Sequence, residues 1–215
     1  MRSRQVAGAA AGAFGVLALL VLTGWSPLRE LDADVVVGAV DISRDHGTYR
    51  DVMKTATWLL HSQLVLAYGA VLALGLVVAR RPGAAIWLAA VVGLGTGLNP
   101  LLKLLFDRER PTVPDPVETF RGLSFPSGHA ASAALICAAL FAVFWAGSGR
   151  FARPTLVFVV LVVPVLSGWT RITLGGHYPS DVVGGTLWAV AWVAAAQPLL
   201  PRLERVFSER ASRPR

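Results

Sequence analysis

Six long apolar stretches alternate with short polar segments along the chain, and they span residues 6–23, 58–79, 84–105, 127–146, 154–170 and 180–200. Each is close to the roughly 20 residues that a helix needs to cross a bilayer. Only helices and closed barrels satisfy their own backbone hydrogen bonds in lipid. Barrel strands alternate in polarity over about ten residues, whereas these stretches are longer and evenly apolar. The pattern therefore predicts an all-α, polytopic membrane protein with six transmembrane helices.

The segments outside these stretches define the expected domain organisation. The first predicted helix follows Arg2 and Arg4 and lacks a small-x-small cleavage site at its end, which favours a retained helix over a signal peptide. Residues 26–57 are acidic, and we expect a short amphipathic helix after Asp41. We predict one six-helix domain over residues 1–201 and a basic, disordered cytoplasmic tail over residues 202–215.

Composition and charge support lipid as the solvent and set the orientation. Of the 215 residues, 54% are hydrophobic and 15% are charged, against about 25% charged in a typical soluble domain. With the N-terminus inside, the inner segments carry eleven cations and two acids, and the outer ones nine cations and eleven acids. Cytoplasmic loops are enriched in Lys and Arg, so both termini are predicted to be cytoplasmic. The net charge of +7 thus reflects membrane sidedness, and no nucleic-acid partner is expected.

One polar segment closes the third predicted helix. Lys103 and Arg110 are seven positions apart. Because seven residues make nearly two helical turns, both cations share one face if the helix continues. The alternative interpretation is a lysine that snorkels to the interface and an ordinary loop arginine.

A second segment opens the fourth predicted helix with Pro126, Ser127, Gly128 and His129. Ser127 suits an N-cap, and Gly128 allows close approach of the backbone. A helix start offers free N–H groups and a positive dipole end to an anion, and His129 can serve there as a proton donor. An ordinary capped helix with an incidental histidine is the alternative.

A third segment joins the fifth and sixth predicted helices and contains Arg171, His177 and Asp181. Arg171 directly follows a very apolar helix, where an unpaired guanidinium is costly. An aspartate four residues after a histidine can bond one imidazole nitrogen and raise the nucleophilicity of the other. The alternative is a structural Arg171–Asp181 pair with His177 on the surface.

The predicted topology places all three segments at the extracytoplasmic ends of helices 3–6. Three cations, two histidines, one aspartate and a helix N-terminus would then gather at one depth, and this set suits a phosphoryl group. Cations hold the phosphate oxygens, one histidine attacks, and the other protonates the departing oxygen. The four histidines and one cysteine lack the spacing of a metal site, so neither a metal nor another cofactor is expected.

These segments resemble the signature of the type 2 phosphatidic acid phosphatase family, which shares its site with the vanadium haloperoxidases. The family pattern reads Lys-x6-Arg-Pro, Pro-Ser-Gly-His and Ser-Arg-x5-His-x3-Asp. It matches residues 103–111, 126–129 and 170–181. The one departure is Thr170, which keeps a hydroxyl where the family usually has Ser.

The resemblance implies a role for each matched residue. His177 would attack phosphorus, Asp181 would orient and polarise His177, and His129 would protonate the leaving oxygen. The phosphate would be bound, without a metal, by Lys103, Arg110, Ser127, Gly128 and Arg171.

The expected function is therefore hydrolysis of a membrane lipid phosphomonoester or pyrophosphate through a phosphohistidine, at the outer face of the plasma membrane. The resemblance implies phosphatidic acid, phosphatidylglycerol phosphate or undecaprenyl diphosphate as the substrate. Phosphotransfer within the same superfamily, haloperoxidase activity and non-enzymatic anion transport are the alternatives. A transporter would hold its charges near the midplane in related halves of the chain, and a soluble haloperoxidase would not need six apolar helices. The oligomeric state is left open.

Overall fold

The apolar stretches fold as helices in the computed structural model, which describes residues 2–212. Within that range the chain forms helices and their connections, the longest of which covers residues 107–127, with no β-strand. The α-helices of this range are α1 (Arg2–Leu22), α2 (Ser26–Asp45), α3 (Gly47–Leu59), α4 (Ser62–Val78), α5 (Pro82–Phe106), α6 (Gly128–Phe144), α7 (Ala152–Thr173), α8 (Pro179–Ala196) and α9 (Leu200–Ser212). The predicted all-α class is confirmed.

Five spans of the described chain, built on α1, α5, α6, α7 and α8, are long and apolar enough to cross a membrane. The stretch predicted over residues 58–79 is divided instead, because α3 and α4 meet at a 48° bend and form a sixth span only together. Exposed Leu19, Leu105 and Val165 lie on the outward surfaces of the spans, as expected for side chains that face lipid. The chain therefore has the multi-pass membrane architecture that the pattern predicts.

Helix α6 lies at the centre of the bundle, where it packs against α4, α5, α7 and α8. Its many alanines are small enough to let neighbouring backbones approach closely. Gly185 of α8 faces the first turn of α6, and Gly95 of α5 faces Leu135. Trp87 and Leu135 belong to the main core, which α4, α5, α6 and α8 share.

Residues 26–59 form two helices where we predicted an acidic segment with one short helix. Pro27 lies in the first turn of α2, where its missing N–H group costs no hydrogen bond. The buried face of α2 consists of Asp32, Val36, Ala39, Val40 and Ser43. These residues recur at helical spacing, and the face that they form packs against α7 and α8. The acidic residues on the exposed face make this apolar stripe hard to recognise in the sequence.

The disorder predicted for the basic tail is wrong for residues 202–212, which belong to α9. Two nitrogens of Arg81 donate to Glu204 Oε1 at 2.9 and 2.6 Å. A Cβ on Gly83 would lie 2.6 Å from the backbone of α9, so α5 and α9 touch through their backbones. Charged residues interrupted by apolar ones at helical spacing explain the helix. The domain boundary at residue 201 stays a prediction, and residues 213–215 lie outside the described range.

Candidate active site

His177 lies in the turn between α7 and α8 and is 2% exposed. Its Nδ1 is 3.2 Å from Oδ2 of the fully buried Asp181. Because an ionised carboxylate can only accept, Nδ1 carries the proton and Nε2 presents a lone pair. Gly175, at φ +79°, turns the chain, and the backbone N–H of His177 donates to the Arg171 carbonyl at 3.2 Å. His177 is therefore held in place by both its ring and its backbone.

Arg110 reaches this histidine from a loop, which corrects the predicted helix face shared with Lys103. Helix α5 ends at a C-cap formed by Asp107, whose φ of 45° is left-handed and whose N–H donates to the Lys103 carbonyl at 2.9 Å. The loop that follows returns over the end of the bundle. Arg110 Nη1 donates to the Gly176 carbonyl at 2.5 Å and lies 3.4 Å from His177 Nε2.

Backbone carbonyls are also the partners of Lys103 Nζ and Arg110 Nε. Lys103 Nζ, in the last turn of α5, donates to the carbonyls of Leu123 and Ser124 at 2.7 and 3.0 Å. Arg110 Nε donates to the carbonyls of Arg121 and Gly122 at 3.0 and 3.1 Å. The two cations thus fold residues 121–124 around the site.

The N-terminus of α6 adds backbone donors. Ser127 is the buried N-cap, and its hydroxyl accepts a first-turn N–H at 3.5 Å. Its own N–H donates to the Asp181 carbonyl at 2.9 Å, which joins α6 to the first turn of α8. A Cβ on Gly128 would lie 3.2 Å from Asn99 Nδ2. His129 follows, and its buried Nε2 has no hydrogen-bond partner among the described residues.

Arg171 closes the site from the last turn of α7 and is 7% exposed. Its guanidinium lies 4.4 Å from the centre of the Phe120 ring, in the geometry of a cation–π contact. Within the described chain its Nε has no hydrogen-bond partner. A Cβ on Gly176 would lie 3.1 Å from Arg171 Nη2, so the guanidinium points towards the turn that carries His177.

The charge on His177 is set by these surroundings. Burial, followed by the positive charges of Lys103, Arg110 and Arg171, holds the pKa of His177 well below its usual 6.5. The imidazole is therefore neutral at neutral pH, which is the form in which an imidazole can act as a nucleophile. Burial also lowers the pKa of Arg110, but a guanidinium remains charged in proteins.

Arg108 is a site residue that the sequence did not single out. Its Nη1 donates to Asp181 Oδ1 at 2.7 Å and its Nη2 to Asp32 Oδ2 at 2.8 Å. Asp181 thus pairs with Arg108 and not with Arg171. The sequence offered one clue to this role, which is that Arg108 lies between Lys103 and Arg110. If Arg108 is buried beside them, its guanidinium needs acceptors, and buried carboxylates can supply them. Nothing in the sequence connects Arg108 to Asp32, 76 positions away.

The bend between α3 and α4 also reaches the site. The rings of His61 and His129 meet edge to face with their centres 5.1 Å apart. Thr57 Oγ1 lies 2.6 Å from Thr170 Oγ1, so the hydroxyl that replaces the usual Ser has a partner. Neither contact had a signal in the sequence, because both join residues about 70 to 110 positions apart.

The converging groups are suited to an anion. Cations, a helix N-terminus and a neutral imidazole with a lone pair on Nε2 fit phosphate oxygens around a phosphorus atom. Over residues 2–212, no group of three or more His, Cys, Asp or Glu side chains is arranged to hold a metal ion. The prediction that no metal or cofactor takes part is left to experiment.

Comparison with known proteins identifies related sequences. A family model described as the PAP2 superfamily matches residues 84–205, more than half of the chain. Phosphatidylglycerophosphatase B of Bacillus subtilis (strain 168) is 30% identical over 138 residues, which cover 63% of this chain and 67% of that protein. Undecaprenyl-diphosphatase BcrC of the same organism is 30% identical over 107 residues, 47% of this chain and 51% of that protein.

A mycobacterial relative and a crystal structure extend the comparison. Decaprenylphosphoryl-5-phosphoribose phosphatase of Mycolicibacterium smegmatis is 38% identical over 104 residues, 46% of this chain and 52% of that protein. The chain thus matches about half the length of this relative and of BcrC. The crystal structure of a transmembrane PAP2 type phosphatidylglycerolphosphate phosphatase from Bacillus subtilis superposes with a TM-score of 0.74 at 26% identity. That superposition covers 97% of this chain and 98% of the other. The predicted family and fold are confirmed.

Proposed function

From the premise that this chain belongs to the PAP2 superfamily and is a membrane lipid phosphatase, we propose that it hydrolyses its substrate through a phosphohistidine on His177. The observation that carries this proposal is the placement of His177 between Asp181 on Nδ1 and Arg110 beside Nε2. That arrangement leaves one nitrogen lone pair directed at a position surrounded by cations. It is the geometry that in-line attack on a phosphoryl group requires.

In the first step, the lone pair of His177 Nε2 forms a bond to phosphorus, and the bond from phosphorus to the lipid or pyrophosphate oxygen breaks. His129 donates a proton to that departing oxygen. Asp181 stabilises the imidazolium that forms through the Nδ1 hydrogen bond. As the substrate binds, Arg110 Nη1 gives up its hydrogen bond to His177 Nε2 and donates to a phosphate oxygen instead. This change frees the Nε2 lone pair for attack.

In the second step, water attacks the phosphohistidine and inorganic phosphate is released. His129, deprotonated by the first step, accepts a proton from that water, so the two steps return the site to its starting state. Lys103, Arg171 and the first N–H groups of α6 hold the equatorial oxygens throughout and neutralise their charge. Each of these groups stands at a rigid helix end, which fixes it for the transition state.

We place the site at the outer face of the plasma membrane, with both termini in the cytoplasm. The support is the positive-inside rule together with the position of the basic segments in the bundle. Arg4, Arg81, Gly147 and Glu204 line one cavity, so the basic ends of α1, α5, α6 and α9 gather at the end opposite His177. A substrate in the outer leaflet would then reach His177 without crossing the membrane.

For the substrate we propose a lipid that carries a terminal phosphate or pyrophosphate. The names of the relatives indicate the set to test: phosphatidylglycerol phosphate, undecaprenyl diphosphate and decaprenylphosphoryl-5-phosphoribose, with phosphatidic acid added. Phosphatidylglycerol phosphate heads the set, because the structure named for it matches almost the whole chain. The phosphate-binding groups are common to all four lipids, so their relative kcat/KM values report recognition of the lipid.

The test is phosphate release by purified protein in detergent from each of these lipids. His177→Ala should abolish release and leave the protein folded, while the matched variant His46→Ala, at an exposed histidine between α2 and α3, should keep it. Substrate labelled in the terminal phosphate should leave an acid-labile label on the wild type and none on His177→Ala. Retained turnover in His177→Ala would refute the assignment of the nucleophile.

The same assay separates the alternatives. Transfer of the label to an added lipid alcohol, in place of inorganic phosphate, would indicate a phosphotransferase. Uptake of labelled anion into proteoliposomes without any hydrolysis would indicate a transporter. We expect neither.

A further inference from the structure

Asp32 of α2 lies outside residues 84–205, which match the PAP2 superfamily, yet its carboxylate is 1% exposed and bonded to the candidate active site. Oδ1 accepts the Ser180 backbone N–H at 3.0 Å, and Oδ2 accepts both the Ser180 hydroxyl and Arg108 Nη2, the latter at 2.8 Å. Arg108 Nη1 in turn donates to Ser180 Oγ at 2.6 Å and to Asp181 Oδ1 at 2.7 Å.

We propose that Asp32 is a positioning residue of the phosphatase, which acts on His177 through Arg108, Ser180 and Asp181. This inference rests on the proposed role of His177 as the nucleophile. In the proposed arrangement, Asp32 touches neither the substrate nor the nucleophile. Its function is to hold the residues that hold Asp181.

The first part of the argument is geometric. Ser180 directly precedes Asp181 in the first turn of α8, and Asp32 binds both its backbone N–H and its hydroxyl. Asp32 therefore caps α8 from another helix, at the turn that sets the direction of the Asp181 side chain. A displacement of about 1 Å in such a support is enough to cost roughly 100-fold in rate.

The second part concerns charge. Arg108 is 14% exposed and is shared by two buried carboxylates. If Asp32 lost its charge, the whole guanidinium charge would act on Asp181 alone. Asp181 would then stabilise the imidazolium form of His177 less well, because a carboxylate already neutralised by a cation attracts a second one weakly.

Asparagine at position 32 tests both parts, because it keeps the shape of the side chain. Asp32 accepts three hydrogen bonds, whereas an asparagine has one acceptor oxygen and would turn its NH2 donors towards the donors of Ser180 or Arg108. The variant therefore removes the charge and breaks at least one contact. We expect kcat to fall roughly 10- to 100-fold.

The side chains of Lys103 and Arg110 donate to backbone carbonyls outside this network, which gives the proposal a readout that general misfolding would not produce. In Asp32→Asn, KM and the inhibition constant of inorganic phosphate should stay within about 3-fold of wild type while kcat falls. The matched control is Asp34→Asn, an exposed carboxylate on the same helix. It should change none of these constants by more than about 2-fold.

A double variant tests whether Asp32 acts through Arg108. In an Arg108→Gln background, Asp32 is a buried carboxylate without its cation, so adding Asp32→Asn should leave kcat unchanged or raise it. Losses that simply multiply would overturn the charge part of the proposal, since Asp32 would then act independently of Arg108. A raised KM with unchanged kcat in Asp32→Asn would overturn it too, because it would assign Asp32 to substrate binding.

Ser180→Ala is the second variant, for the case that Asp32→Asn does not fold. This variant keeps the charges of Asp32 and Arg108 and removes only the Ser180 hydroxyl that lies between them. We expect kcat to fall about 2- to 10-fold, as for one hydrogen bond, with KM and phosphate inhibition unchanged. An active wild type, an inactive His177→Ala and wild-type kcat in the Asp32 or Ser180 variant would refute the positioning role alone. Retained activity in His177→Ala would instead refute the proposed function.

Discussion

Helix α8 crosses α6 at Gly185, directly beneath the proposed phosphate site, and the crossing leaves no space for a side chain. A Cβ on Gly185 would lie 2.4 Å from the carbonyl oxygen of Ser127 and 3.2 Å from the backbone nitrogen of Ala131. Both atoms belong to the backbone of α6 or its N-cap. We therefore predict that Gly185→Ala forces the two helices apart at the proposed phosphate site.

The size of the displacement follows from these distances. Ordinary contact of a Cβ begins at about 3.4 Å, so the 2.4 Å approach to Ser127 is short by about 1 Å. Ser127 N also donates to the Asp181 carbonyl at 2.9 Å, so the separation acts on both the α6 N-terminus and the support of His177. A 1 Å misplacement costs on the order of 100-fold in rate, and overpacking costs roughly 1–3 kcal/mol of stability.

The assay is kcat/KM for phosphate release in detergent, measured beside the thermal midpoint of unfolding. The control is Gly93→Ala on α5, where a Cβ would have nothing within 4 Å. Alanine favours helix over glycine by about 1 kcal/mol, so this variant should keep its activity and unfold at the same or a higher temperature. If Gly185→Ala kept kcat/KM within 10-fold of wild type, the rigid coupling of α6 and α8 inferred from the distances would be refuted.

Three further predictions concern metal, pH and the end of the bundle opposite His177. Phosphate release should survive EDTA, and strict dependence on an added divalent metal would contradict the phosphohistidine mechanism. The folded state holds the pKa of His177 well below 6.5. As pH falls through 6.5, His177 therefore binds a proton in the unfolded chain and not in the folded one, which favours unfolding. The thermal midpoint should therefore decrease between about pH 7.5 and 5.5, and decrease less in His177→Gln; an equal decrease would argue against this linkage. Gly83→Ala should push α9 off α5, since its Cβ would meet the α9 backbone at 2.6 Å, and lower the thermal midpoint. Phosphate release should stay within about 2-fold of wild type, because α9 lies at the far end of the bundle from His177, and a larger loss would connect α9 to the site.

The sequence was informative where chemistry is concentrated in short segments. Spacing alone related His177 to Asp181, because four residues are one helical turn. The alternation of apolar stretches and basic loops predicted that three segments separated by up to 78 positions meet at one end of the bundle. These inferences needed only local periodicity and the rule for positive charge.

The sequence was less informative where one long-range contact decides a conformation. The end of α5 depends on Asp107 adopting a left-handed conformation, which an aspartate tolerates but does not require. The buried position of Asp32 depends on Arg108. In the sequence, either residue considered without the other looks like an ordinary surface charge. The packing of α9 against α5 depends on a backbone contact at Gly83 that composition does not reveal.

The pairing of Arg108 also explains why the other cations remain available to an anion. Both buried carboxylates of the site, Asp32 and Asp181, are bound to Arg108. Lys103 and Arg110 donate instead to backbone carbonyls, and carbonyl dipoles satisfy hydrogen bonds without cancelling a full charge. Had Asp181 paired with Arg171, one of the three cations proposed to bind phosphate would have been taken up by a structural ion pair. Arg108 thus forms the direct ion pair with the acid next to His177, and the side chains of Lys103 and Arg110 stay available to the proposed phosphate site.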